Sequence, residues 1–299
     1  MLDSLTIIIE VTIRAFPAIL MGGLAGLITQ RIKVGNLGLE GFMLIGAFVS
    51  VLGSYYSGSC WFGIFLACLV NALLCIFFII FNQEFKADNV VMSVAINMFA
   101  LGITKYMLSV LFGVKGAFSS PKIIGVPKVN LPFLEEIPIL GAFAHQSILV
   151  YISLISLVFI QLLLFKTSLG LRIRATGPNE MAVITAGVST KKVKVITYII
   201  SGILCGLAGA YLSLGQLTMF TDNMTNGRGF ISMAAANFGF GLPVGTFYGA
   251  LLFGFADGIT MRAQLQGFPP QLVSIIPYLI TILTLCGIGL YRKYRLKEI

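Results

Sequence analysis

Charge is what this chain has least of: Asp, Glu, Lys and Arg together make up 10% of 299 residues, where a soluble protein carries about a quarter. Histidine is nearly absent too, with His145 alone, and the five cysteines, Cys60, Cys68, Cys75, Cys205 and Cys286, form no CxxC pair. A zinc site or a histidine-activated nucleophile therefore has no raw material, and the cysteines read as small buried hydrophobes. The chain also lacks GxxxxGK[ST], GxSxG and HExxH, and paired carboxylates at catalytic spacing. These absences exclude nucleotide hydrolysis and the common hydrolase chemistries from this polypeptide. No basic stripe interleaves with stacking aromatics, so nucleic acid is not an expected partner. No short apolar core followed by small residues opens the sequence, and Asp3, Glu10 and Arg14 interrupt its start. The first helix is expected to remain in the mature protein.

What the sequence does have is hydrocarbon: 58% of its residues are hydrophobic. Apolar runs long enough to cross a bilayer fall at about 5–28, 41–56, 61–81, 89–113, 147–166, 194–216, 244–264 and 271–291, with a ninth, shorter one at 229–241. The fold class is all-α, a polytopic membrane protein of about 8–10 transmembrane helices with one short or broken, forming a single domain over 1–299. Lys and Arg cluster near 30–40, 82–88, 167–193 and in the terminal YRKYRLKEI. By the positive-inside rule those stretches face the cytoplasm, which puts the C-terminus inside and makes the short 229–241 segment cross. A loop over 114–146 then lies outside. Its Pro121, Pro127, Pro132 and Pro138 rule out a long helix, leaving a partly extended cap or a plain connector.

Polar groups inside a membrane are expensive and ask for a reason. Glu10 and Arg14, four apart, suit an ion pair on one helical turn. Glu40 sits between Gly38 and Gly41 at a helix start, where a carboxylate suits the dipole. Ser93 and Asn97 share a face and suit either a polar path or an interhelical hydrogen bond. Asp257, in GFADG, suits a buried partner or a pathway lining. Asp222, Asn226 and Arg228 precede the short helix and suit an external gate or docking loop. A loose internal echo relates Asn36, Gly38 and Gly41 to Asn237, Gly239 and Gly241, both sets leading into an outward-running helix. Gly-rich, broken starts of helices at corresponding points are where transporters place pathways, with small-residue packing as the alternative.

The longest polar interruption is 170–194, where Arg172, Arg174, Lys191, Lys192 and Lys194 flank a short helical pattern. Thr176 or Gly177 is the expected N-cap, Pro178 the first helical residue, Glu180 an acid in the first turn, and Gly187 a left-handed stop. Such a helix is roughly 13 Å long and cannot span.

Four stretches, GNLGLEGFMLIGAF (35–48), DNVVMSVAINMFALG (88–102), GLRIRATGPNEMAVITAGV (170–188) and NMTNGRGFISMAAANFGFGLPVGTFYGALLFGFADG (223–258), carry a resemblance over nearly the whole chain. It resembles the permease subunits of bacterial ABC importers in the branched-chain amino acid, ribose and nucleoside group. The nucleoside branch is the nearer, since NLGLEG stands where the sugar branch shows an IDLSVG-like segment. The resemblance implies that Gly177, Asn179, Ala182 and Gly187, with Pro178 and Glu180 beside them, belong to a coupling segment (167–193) that docks on an ATPase. It implies three partners in a bacterial plasma membrane: a cytoplasmic ATPase that carries the ATP, a second homologous permease, and a substrate-binding lipoprotein. No cofactor is expected on this chain. A simple-sugar importer permease, an ion-coupled carrier using Glu40 and Asp257, and a membrane scaffold are the alternative readings.

Overall fold

The computed structural model describes residues 2–129 and 145–265, with the isolated positions 275, 279 and 282. Its helices are α1 (Leu2–Arg31), α2 (Leu39–Ser57), α3 (Cys60–Glu84), α4 (Asn89–Phe112), α5 (Ile148–Lys166), α6 (Ser168–Thr176), α7 (Glu180–Thr185), α8 (Thr190–Ala210), α9 (Arg228–Phe238) and α10 (Pro243–Leu265). Two-residue strands β1 (Ala117–Phe118) and β2 (Phe220–Thr221) pair antiparallel. Among the described residues six helices are long and apolar enough to cross a membrane: Ile9–Arg31, Leu39–Ser57, Cys60–Glu84, Asn89–Phe112, Ile148–Lys166 and Thr190–Leu217. They fall on the first six predicted runs, and α10 falls on the run at 244–264. The run at 271–291 and the basic terminal stretch lie outside the described residues, as does 130–144 of the long loop.

Local chemistry sets the helix ends. The Asp88 carboxylate accepts from the backbone N–H of Val90 and Val91 to start α4, and left-handed glycines, Gly58 (φ 66°) and Gly113 (φ 67°), close α2 and α4. Arg31, Glu84, Lys166 and the start of α8 gather at one end of the bundle with α6 and α7, where Lys191 pairs with Glu84 at 2.7 Å. This is the basic end. At the opposite end, residues 123–126 pack on α2 and on the turn that follows α8: Ser54 Oγ donates to the Ile124 carbonyl, and Val126 N donates to the Leu214 carbonyl.

Small residues decide what lies in the middle. α1 is central, against α8, α9 and α10. On α8, a Cβ built at Gly202 or Gly206 would lie 2.6 Å from the Asn71 carbonyl or 2.8 Å from that of Ala67. The backbones of α8 and α3 therefore touch, the close approach that small residues allow in membranes. Past Ala210 the helix widens into a π-turn over Tyr211–Leu217.

Two helices fall short of their neighbours. α2 meets α3 at Phe42 and Phe78 (ring centroids 6.2 Å apart); α3 continues past Phe78 to Glu84 while α2 begins at Leu39, just before Phe42, so the start of α2 is recessed by about 4.5 Å. The chain reaches it by a dipping turn, 32–38, held by polar groups. Asn36 is fully buried: its N–H donates to Thr29 Oγ1 and its Oδ1 accepts from Gly38 N. Tyr198 donates its hydroxyl to the Val34 carbonyl at 2.9 Å. The second is α9, 11 residues and about 16 Å long, half of a hydrocarbon layer of about 30 Å. The chain passes from β2 at the opposite end to Gly241 at the basic end with only those residues helical. The crossing expected of 229–241 is a broken span that begins about nine residues earlier, at Phe220.

Candidate functional site

α9 runs beside the C-terminal half of α1 in the same direction. A Cβ at Gly22 would meet Ser232, one at Gly26 would meet Met233, and Gln30 Nε2 donates to Asn237 Oδ1 at 2.9 Å. Each end of α9 is held by a charged side chain from outside the helix. At its start, Glu40 accepts from Gly227 N (2.8 Å, Oε1) and Gly229 N (2.7 Å, Oε2). Glu40 is 6% exposed, so this carboxylate satisfies two inward N–H groups where water is scarce. Gly229 is obligatory there, because a Cβ would lie 2.5 Å from the Glu40 Cα. At the far end, the Arg31 guanidinium donates to the Gly241 carbonyl from Nε (3.0 Å) and from a terminal nitrogen. Glu40 is thus a cap, as its place beside Gly38 and Gly41 suggested, but of a helix start 187 residues away rather than of its own helix.

Beside this clamp, Arg228 pairs with Asp257 at 3.4 Å, each side chain about a quarter exposed. Tyr211 of the π-turn donates its hydroxyl to the Arg14 carbonyl at 2.7 Å, and Arg14 pairs with Glu10 one turn away, the pair expected from their spacing. Asp222 and Asn226 lie in the segment that leads into α9; Asp222 N donates to the Gly116 carbonyl at 2.7 Å, and Asn226 adopts a left-handed φ of 44°. Asn97 spends both polar atoms on the recessed start of α2, accepting from Gly41 N at 2.8 Å and donating to the Leu37 carbonyl at 3.2 Å. Ser93 bonds back to the Asn89 carbonyl of its own helix. The structure brings Asn36, Glu40 and Asn97 together around the start of α2, and Arg228 and Asp257 around the start of α9. Asn237, at the C-terminal end of α9, sits apart from both groups. The second half of the internal echo is held by residues that precede the first: Gln30 bonds Asn237 and Arg31 bonds Gly241.

At the basic end, the expected single helix of the 170–194 segment is two. α6 ends at Thr176, whose hydroxyl bonds back to the Arg172 carbonyl, and Gly177 closes it in helical conformation. The N-cap of α7 is Asn179, whose Oδ1 accepts from Ala182 N at 3.1 Å, so neither Thr176 nor Gly177 caps it and Pro178 sits in the turn. Asn179 wins because its side chain reaches the free N–H three residues on, which Gly177 cannot do and Thr176 is too far back to do. Gly187 is left-handed (φ 78°) and ends the unit as expected. Lys194 holds Glu180 at 2.7 Å and, chiefly by hydrogen bonding, keeps its carboxyl below the ordinary glutamate range.

Leu171, Met181 and Ile184 are exposed on this pair, and a shallow apolar groove runs between α6 and α7 over Ala175, Pro178, Ala182, Val183 and Ala186. These apolar groups lie exposed beside Arg172, Lys191 and Lys192, a non-polar patch edged by positive charge. Sequence reasoning placed Ala182 and Asn179 here but overlooked Arg31, which counted only as one more positive charge. Its one local signal is that it closes the first span.

A family model described as "Branched-chain amino acid transport system / permease component" matches residues 8–285. The chain is similar to a guanosine ABC transporter permease protein of Bacillus subtilis, 35% identical over 95% of this chain and 92% of the relative. It is also similar to a nucleoside ABC transporter permease protein of Lactococcus lactis (29%, 95% and 92%) and to a glucose ABC transporter permease protein of Haloferax volcanii (26%, 96% and 77%). Among solved structures, an inward-facing ABC transporter described as of metal-chelate type aligns over 93% of this chain and 85% of its own, with a TM-score of 0.50 and 17% identity. At that identity the likeness speaks for the fold alone.

Proposed function

Because the chain belongs to the branched-chain amino acid transport system permease family, we propose that it forms half of the membrane pathway of an ATP-driven nucleoside importer. It is a multi-pass membrane permease of the ABC type, and its relatives are permease subunits rather than enzymes. The observation that carries the nucleoside reading is the 35% identity to a guanosine permease across 95% of this chain. In this reading the α6–α7 surface faces the cytoplasm and docks on the ATPase through the apolar groove around Ala182, a helix-in-groove contact. A second, homologous permease completes the pathway and a lipoprotein delivers substrate from outside. ATP-driven closure of the ATPase pair moves α6 and α7, and the pathway alternates between its two openings.

Glu40 and Asp257 both have partners in the chain, Glu40 in two backbone N–H groups and Asp257 in Arg228. That engagement disfavours the ion-coupled carrier, which needs carboxylates free to bind and release a cation. Simple sugar stays as a second reading, because a glucose permease is among the similar proteins. The test is uptake into proteoliposomes holding the two permeases, the ATPase and the lipoprotein. Guanosine or another labelled nucleoside should accumulate only with ATP inside the compartment that faces the ATPase. Accumulation of glucose in place of every nucleoside would move the assignment to sugar, and gradient-driven uptake without the ATPase would overturn the importer reading itself.

A further inference from the structure

Arg31 closes α1, Glu40 lies in the first turn of α2, and only the dipping turn 32–38 and Leu39 separate them. These two residues hold α9 from its opposite ends, the carboxylate at the positive end of the helix dipole and the guanidinium just past the negative end. The docking segment also touches the membrane domain at Arg31, besides its ties to Leu163 of α5 and Lys194 of α8. A Cβ placed on Gly177, between α6 and α7, would collide with the Arg31 carbonyl oxygen and lie 3.2 Å from its carbon. Arg174 of α6 is also near enough for its like charge to act on the Arg31 guanidinium. One residue therefore faces the docking segment with its backbone and holds the broken span with its side chain.

We infer that Arg31 is the positioning residue that transmits motion of the 167–193 segment to α9, with Glu40 anchoring the far end so that the half-helix moves as one body. This rests on the ABC permease reading. Arg31 touches neither nucleotide nor substrate; it sets where α9 sits. Its two donors to one carbonyl fix direction as well as distance, which a lysine ammonium at the same place does not.

The test uses the complete complex in proteoliposomes and reads the ratio of nucleoside moved to ATP hydrolysed, beside hydrogen exchange of 228–241 with and without ATP. For Arg31→Ala, ATP hydrolysis should stay within about twofold of the parent while uptake falls tenfold or more, so the ratio collapses. The ATP-dependent change in exchange over 228–241 should vanish. Arg31→Lys should give an intermediate ratio, as should Glu40→Gln, which keeps one acceptor. An unchanged ratio in Arg31→Ala overturns the inference. So does a parallel fall of hydrolysis and uptake in both Arg31 variants, the mark of a merely structural residue. If the unaltered complex shows no ATP-driven uptake, the ABC reading falls first, and the inference falls with it.

Discussion

α1 and α4 make a controlled pair. As membrane spans they have 23 and 24 residues and almost the same mean hydropathy, yet 89% of the most apolar stretch of α1 and 17% of that of α4 is buried in protein. Hydropathy therefore reports only that both can live in lipid. What separates them is where small residues point. In α1, Gly22, Gly23 and Gly26 each face α9 or α10 at contact distance, whereas a Cβ at Gly102 of α4 would meet nothing within 4 Å. Without a hydrophobic force between helices in a bilayer, close backbone approach and polar ties choose the neighbours.

The harshest way to break this comparison is to enlarge one glycine in each helix. Gly23→Leu puts a Cβ 2.8 Å from the Thr246 methyl and 3.2 Å from the Ser232 carbonyl. We expect loss of most folded protein in detergent size-exclusion profiles, as overpacking costs about 1–3 kcal/mol before α10 is displaced. Gly102→Leu should leave the profile and melting temperature as they are; an equal loss in both would end the distinction.

Polar ties sharpen it further. Glu40→Ala strands the half-buried Gly227 N–H and the buried Gly229 N–H at the start of α9, at about 1–3 kcal/mol for a buried stranded group, and should lower the melting temperature more than any single change on α4. Asn97→Ala removes the two bonds that tie α4 to the start of α2, at about 0.5–1.5 kcal/mol for each bond. Thermal shift should rank them in that order, and the reverse ranking would show α4 to be more than a peripheral helix.

The smallest effect is one of pH and lies outside the membrane. Because Lys194 depresses the Glu180 pKa, the folded state favours the carboxylate. Their contact is then fully present above the ordinary glutamate value of about 4.3 and is lost as pH falls through the lowered folded value. Amide protection in α7 should fall over that acidic window, and Glu180→Gln should flatten the dependence.

Features set by neighbours along the chain could be read from sequence: the six spans, the Glu10–Arg14 pair, and the stop at Gly187. Features set by distant partners could not. Arg31 meets Gly241 across 210 positions and Glu40 meets Gly229 across 189, so no local pattern marks either contact. The cap of α7 was misplaced for a different reason. Pro178 is a favourable first helical residue, but the side chain of Asn179 competes for the same turn and satisfies a free N–H that proline cannot reach. The π-turn at Tyr211 left no trace either, since YLSLGQL is as good an α-helix as the residues before it.

The glycine contacts of α8 carry one more consequence. A contact between side chains is compliant, because rotamers can swing to absorb a displacement. Where Gly202 and Gly206 set backbone on backbone, nothing can swing, so over this length α8 and α3 are stiff like a glued beam. That stiffness ends at the π-turn, whose wider coil no longer shares the beam's register. The close-packed stretch therefore has little room to slide between Gly202 and Gly206, and the regular coil of α8 ends at Ala210, where the seven residues of the π-turn follow.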